Sequence, residues 1–181
     1  VYADPVRADA AQTLAALDAS GLESRIVSGD RHSPVRALAG ELGIEGEGEM
    51  RPDTKLALLD TLKADGRRPL MVGDGINDGP ALAAAHASIA PGTASDVSQQ
   101  AADAVFLGKG LMPVALAVTI ARRTMRIVRQ NFGFAIGYNV VAVPLALAGL
   151  VTPLIAAIAM SLSSLVVVGN SLRLARMRNA P

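Results

Sequence analysis

Cysteine is missing from all 181 residues, which removes disulfides, a zinc knuckle and a thiol nucleophile from consideration. Aromatic residues are scarce at 3%. Neither sign of charge is in excess, since the formal net charge is +1, so bulk charge gives no reason to expect a nucleic-acid partner. No charged leader with a cleavage site opens the chain, and no secretory signal is visible. It starts on Val1 rather than methionine, from which we expect a piece of something longer. What the chain has in quantity is apolar residues, 51% of the total, with a positive mean hydropathy. They are not evenly spread.

From Val1 to about Gly108, short apolar runs alternate with amphipathic stretches. The runs are Ile26-Val27, Leu70-Met71-Val72, Ser88-Ile89-Ala90 and Val105-Phe106-Leu107. The stretches are Ala8 to Ala19, Pro34 to Leu42, Thr54 to Lys63, Gly79 to Ala85 and Ala94 to Ala101. Strands alternating with helices predict an α/β domain whose parallel sheet is covered by helices. Ligands of such sheets collect at the carboxyl ends of the strands. Ser28-Gly29-Asp30 and Gly73-Asp74-Gly75 each follow an apolar run, so both are expected on that rim.

The second part differs. Residues 109 to 130 predict a helical stalk carrying Arg122, Arg123, Arg126 and Arg129. Gln130 to Leu172 then contains no charged residue, a length that suits two bilayer spans of about 20 residues each. We place them at 131–149 and 152–172, with Gly149 and Thr152-Pro153 as the turn. Arginines flank both ends, with Arg173, Arg176 and Arg178 on the far side, so both ends of the hairpin are expected in the cytoplasm, the last being a tail over 173–181. A buried helical pair in a soluble protein would show a polar face, and this segment has almost none. A nucleic-acid role for the arginine row is the weaker reading, because the row stands at the mouth of a span.

Four polar clusters in the first part point to phosphate chemistry. A hydroxyl and backbone amides at Ser28-Gly29-Asp30 can hold phosphate oxygens, Lys55 of RPDTK can neutralise a charged or phosphorylated carboxylate, and Asp74 with Asp78 can hold Mg²⁺. Together these make a phosphoryl-transfer site. Singly, an SGD is usually a turn and a lysine a solvated helix residue. GDGINDGP is different, being long and chemically odd for a turn. His32 and His86 read as a loop residue and a structural residue, and Met160 alone as packing.

At these residues the chain resembles the P-type ATPases, members of the haloacid-dehalogenase superfamily. VGDGINDGPAL looks like their hinge motif, and DPVRADA (4 to 10), SGD (28 to 30) and RPDTK precede it in family order. The resemblance implies a Rossmann-like, partial phosphorylation domain over 1–108 and a two-helix transmembrane hairpin, in a multi-pass protein of the inner or plasma membrane. It implies that Ser28 contacts the transferred phosphoryl group and Lys55 stabilises an aspartyl phosphate. Asp74 would ligate Mg²⁺, Asn77 and Asp78 would complete that site, and Gly29, Asp30, Gly73 and Gly75 would bring backbone close to the phosphates of ATP. Tyr138-Asn139 with Met160 and Ser163-Ser164, followed by NSLRL, resembles the last two helices of copper-transporting members, which makes Tyr138, Asn139, Met160 and Ser164 candidates for transported Cu⁺. The stretch AAAHASIAPGTASDVSQQAADAVFLG, with His86 where that family usually has Asp, looks like the copper pumps of oxidase assembly.

The family's DKTGT nucleophile motif and its membrane CPC motif are absent from these residues. The expected function is therefore part of an ATP-driven Cu(I) exporter, with the amino-terminal part of the pump, the lipid bilayer and a copper chaperone as partners. The alternatives are a membrane-tethered phosphatase of the same superfamily and a non-catalytic fragment. The phosphatase needs an early DxD, and Asp4 and Asp9 do not form one.

Overall fold

The computed structural model describes residues 6–175 apart from 109. Asp4 and Pro5 of DPVRADA, and Arg176, Arg178 and the rest of the expected tail beyond 175, lie outside the described residues. The chain divides into two units, Val1–Leu116 and Ala117–Pro181.

The first unit is α/β with parallel strands throughout. After α1 (Ala10–Asp18), β1 (Arg25–Val27) leads through α2 (His32–Leu42) to β2 (Glu45–Glu47), and β1 and β2 pair in register from Arg25 opposite Glu45. Then α3 (Pro52–Ala64) leads to β3 (Leu70–Val72), a short 3-10 turn (Ile76–Asp78) and α4 (Gly79–Ala84). Next come β4 (Ala87–Pro91), α5 (Asp96–Ala101) and β5 (Ala104–Phe106). Strands β3, β4 and β5 form a second sheet in that order. So the single expected sheet is, among the described strands, two parallel ladders. The strand β2 has no apolar run to announce it. Its centre is Gly46, because α2 lies so close that a Cβ there would stand 2.5 Å from the Ala39 Cβ.

Two helices of the first unit begin on recognisable sequence signals. Pro52 stands at the start of α3 with Asp53 in its first turn, and the Ser95 hydroxyl accepts the Ser98 amide to cap α5. The core is assembled from small side chains: Ala81 and Leu82 of α4 are 1% exposed and pack with Leu59 of α3 and Met71 of β3. Short strands with small core residues leave the loops at their carboxyl ends close to the helices that follow, which is what positions the site.

The stalk and the first expected span are one helix, α6 (Met112–Leu147), 36 residues long with Pro144 near its end. Gly149, at φ 72°, terminates the turn after it, and α7 (Pro153–Ala175) starts on proline with the Thr152 hydroxyl accepting the Ile155 amide at 3.4 Å. Among the described residues one helix is long and apolar enough to cross a membrane, Pro153–Arg173. Residues 131–147 of α6 are uncharged but fewer, and Asn131 and Asn139 dilute their hydropathy. Within the second unit, Asn131 donates to the Ser171 hydroxyl at 3.0 Å, and Asn170 donates to Asn131 Oδ1 at 2.9 Å. These bonds tie the start of the uncharged part of α6 to the end of α7.

Candidate active site

The Lys55 side chain carries the centre of the site. It lies in the first turns of α3, only 8% exposed, and its Nζ stands 2.7 Å from Asp78 Oδ1. A lysine this buried needs a charged partner, since an isolated ammonium out of water is strongly disfavoured. Asp78 is held in turn by its own loop: its Oδ2 accepts the Gly75 amide at 3.3 Å, and its amide donates to the Gly75 carbonyl at 2.9 Å. Gly73 is required here for space. A Cβ on it would meet the Asp78 Cβ at 3.0 Å and Oδ2 at 3.1 Å. Both Asp78 oxygens are thus engaged, one by lysine and one by backbone. Asp74, by contrast, is exposed at the end of β3, as is Asn77 two residues before the helix α4.

Ser28 and Asp30 form a separate hydrogen-bonded turn at the end of β1. The Ser28 hydroxyl donates to Asp30 Oδ2 at 2.8 Å, and the Asp30 amide donates back to Ser28 Oγ at 3.2 Å. Ser28 also accepts the Met50 amide at 2.9 Å on its carbonyl, immediately before α3 begins. The SGD turn is therefore fastened to the foot of the helix that carries Lys55, and Lys55 reaches across to the loop after β3. Gly29 and Asp30 are exposed on this turn. His32 is occupied structurally: its Nδ1 accepts the Gly48 amide at 3.3 Å, and its Nε2 lies 3.6 Å from Glu49 Oε2.

Three supports were not foreseen from the sequence. Ser98, fully buried, donates its hydroxyl to the Gly75 carbonyl at 2.5 Å, so α5 braces the GDG loop. Asp103 accepts both the amide and the hydroxyl of Ser88, at 2.9 and 3.1 Å. Asp9 caps α6: its Oδ2 accepts the Leu111 and Met112 amides at 2.7 and 2.8 Å, while its Oδ1 is buried without a partner. The Met112 amide pulls the Asp9 carboxyl below the usual carboxylate range. Burial opposes this, and the Leu111 amide, its own amide and the Arg7 charge assist. Only the glycine signal at 110 hinted at this, since a Cβ there would collide with the Asp9 carboxylate.

As to magnesium, no group of three or more His, Asp or Glu side chains suited to a metal occurs among the described residues. Mg²⁺ needs fewer, because it keeps waters and shares substrate phosphate with one or two carboxylates. The exposed Asp74 carboxylate at a strand end fits that requirement, with Asp78 as the orienting neighbour.

The four membrane candidates are not brought together. On α6 the half-buried stripe is Asn131, Ala135, Tyr138 and Ala142, and on α7 it is Ala159, Ser163, Val167 and Asn170. Met160, 64% exposed, and Ser164 lie beside the α7 stripe and face outward, lining an open groove with Ser161, Leu165 and Val168. Asn139 and Ser164 donate to their own helices, to Ala135 and Met160 carbonyls.

A family model described as a haloacid dehalogenase-like hydrolase matches residues 1–86, which include both Lys55 and GDGINDGP. The chain is 55% identical over 174 residues to the nitrogen fixation protein FixI of Rhizobium leguminosarum bv. viciae, covering 96% of this chain and 23% of that protein. It is 43% identical over 175 residues to the "Probable copper-exporting P-type ATPase V" of Mycobacterium tuberculosis (strain CDC 1551 / Oshkosh), again covering 96% and 23%. The crystal structure of a zinc-transporting PIB-type ATPase in its E2.Pi state superposes with a TM-score of 0.84 at 33% identity, over 94% of this chain and 28% of that one. The chain spans about a quarter of the length of the relatives it matches. Over nearly its whole length, then, the chain is similar to one segment of a copper-exporting and of a zinc-transporting P-type ATPase.

Proposed function

We propose that this chain is part of an ATP-driven pump for Cu(I) that works through an aspartyl-phosphate cycle. The observation that carries the reading is the buried Lys55–Asp78 pair at the foot of the exposed Asp74. A phosphoryl group carries charge spread over three oxygens, and catalysis consists largely of positioning and neutralising it. Lys55 is held where its ammonium can turn toward a phosphorylated carboxylate without first being desolvated. Asp78 fixes it there and, through the Gly75 amide, sets the loop that presents Asp74. Ser28 offers a hydroxyl and the Gly29-Asp30 backbone its amides to phosphate oxygens. Bound to Asp74, Mg²⁺ would neutralise part of the phosphate charge. The phosphorylated aspartate would come from the part of the pump outside these residues.

The membrane reading is a hairpin formed by residues 131–147 of α6 and by α7, with both outer ends in the cytoplasm of a multi-pass pump. Supporting it are the uncharged run from Gln130 to Leu172 and the arginines at its borders. Ion choice follows from donors. A hard or borderline divalent ion stripped of water wants anionic oxygen, and this run has none, whereas the Met160 thioether suits soft Cu(I). Because Met160 and Ser164 face away from α6, the site they serve would be completed by another helix of the pump. The narrower reading of an oxidase-assembly type copper pump rests on the resemblance carried by AAAHASIAPGTASDVSQQAADAVFLG. Delivery by a copper chaperone is the partner this reading entails. ATP hydrolysis by the full-length pump, measured against free Cu(I) and Zn²⁺, tests the assignment: Cu(I) should stimulate and Zn²⁺ should do so poorly.

A further inference from the structure

All 16 acidic residues of the chain lie at or before Asp103, so α6 and α7 contain no Asp or Glu at all. A solvated basic helix face is ordinarily balanced by carboxylates three or four residues away. On α6 no carboxylate stands three or four residues from Arg126 or Arg129, which close a row of four arginines begun by Arg122 and Arg123. Arg122, Arg126 and Arg129 share one face, and with Met125 and Gln130 they line an open cleft of about 550 Å³. The arginines are exposed, and so is Met125, at 53%. The row ends at Arg129, one residue before the uncharged run starts.

We propose that this cleft binds the headgroup of an anionic phospholipid, with Arg126 and Arg129 on the phosphate. The inference rests on the membrane-hairpin reading above. Three features select a lipid. The guanidinium presents a fork of donors matched to phosphate oxygens. From Arg122 to Arg129 the helix rises about 10 Å, comparable with the headgroup layer of roughly 5–8 Å outside the hydrocarbon core. Met125 supplies an apolar contact for the glycerol and upper acyl chain in the same cleft. A soluble phosphate would use the guanidinium groups but has no use for the methionine or for the position at the membrane border.

The test uses the full-length pump in nanodiscs of phosphatidylcholine, with spin-labelled phosphatidylglycerol or phosphatidylcholine as the probe. Protein-immobilised phosphatidylglycerol should exceed phosphatidylcholine by about fivefold. In Arg126→Gln/Arg129→Gln that preference should fall toward parity, in Arg126→Lys/Arg129→Lys most of it should survive, and millimolar glycerol phosphate should not displace the lipid. A preference unchanged in the glutamine variant, or absent from the wild type, overturns the proposal. So does displacement by glycerol phosphate, which would assign the cleft to soluble phosphates. If neither lipid is immobilised, the membrane reading itself fails and takes this one with it.

Discussion

Lys55 and Asp78, twenty-three positions apart, face each other at 2.7 Å with side chains only 10% and 15% exposed. Such a pair is asymmetric in its consequences. Removing one partner strands the other charge out of water, which costs about 3–5 kcal/mol. Lys55→Ala should therefore lower both the stability of the α/β unit and the turnover of the full-length pump, the latter by about a hundredfold or more. Lys55→Ala combined with Asp78→Ala should recover much of the stability and none of the turnover. Thermal melts beside ATPase rates separate the two effects.

Ser98 predicts a subtler loss. Its buried hydroxyl is the donor to the Gly75 carbonyl, so Ser98→Ala leaves that carbonyl without it. We expect a cost of about 1–3 kcal/mol in stability. ATPase activity should fall without a change in which ion stimulates it, because the hydroxyl's partners are the Gly75 carbonyl of the GDG loop and the Ser95 hydroxyl that caps α5.

The Asp9 cap gives a pH dependence. Its folded pKa is depressed, so its contribution is full above the ordinary carboxylate value of about 3.9. It is lost as pH falls through the lower folded value. Wild type and Asp9→Ala in detergent should differ in melting temperature at pH 7 and converge below about pH 4. Gly110→Ala should resemble Asp9→Ala at pH 7, since the added methyl displaces the carboxylate. Equal melting temperatures at pH 7 would show that the cap contributes nothing.

Topology can be read by cysteine labelling, which the cysteine-free sequence makes simple. In intact cells, an impermeant thiol reagent should label Thr152→Cys and leave Arg126→Cys untouched. Labelling at 126 but not at 152 would reverse the hairpin.

For the ion, Met160→Ala in the full-length pump should weaken Cu(I) stimulation while leaving the melting temperature within about 1 °C, because the side chain is outward-facing and its loss opens no core cavity. Unchanged affinity for Cu(I) in both Met160→Ala and Asn139→Ala would remove the copper assignment.

Much of this was legible in the sequence because it is local. GDGINDGP announces its turn, the Gly149-to-Pro153 stretch announces the break between α6 and α7, and period and composition separate the α/β part from the apolar helices. What could not be read is long-range. Glu45–Glu47 became a strand because β1 and α2 meet there, and Gly46 was its one trace. The Asp9 cap joins residues 103 positions apart, and nothing near Asp9 distinguishes it from a solvated carboxylate. Ser98 looked like one polar residue among several in DVSQQA. Met160 and Ser164 stand four apart on α7 and share a face, but spacing does not give that face its direction, which packing against α6 decides.

The central claim is that these residues supply the lysine and carboxylate half of a phosphoryl-transfer site whose nucleophile lies elsewhere in the pump. Acid-stable phosphoenzyme formed from ATP measures it directly. The 181-residue chain alone should form none, the full-length pump should form it, and Asp74→Ala in that pump should abolish turnover by removing a magnesium ligand. Robust ATP hydrolysis by the chain alone, or wild-type turnover in Asp74→Ala, would contradict it.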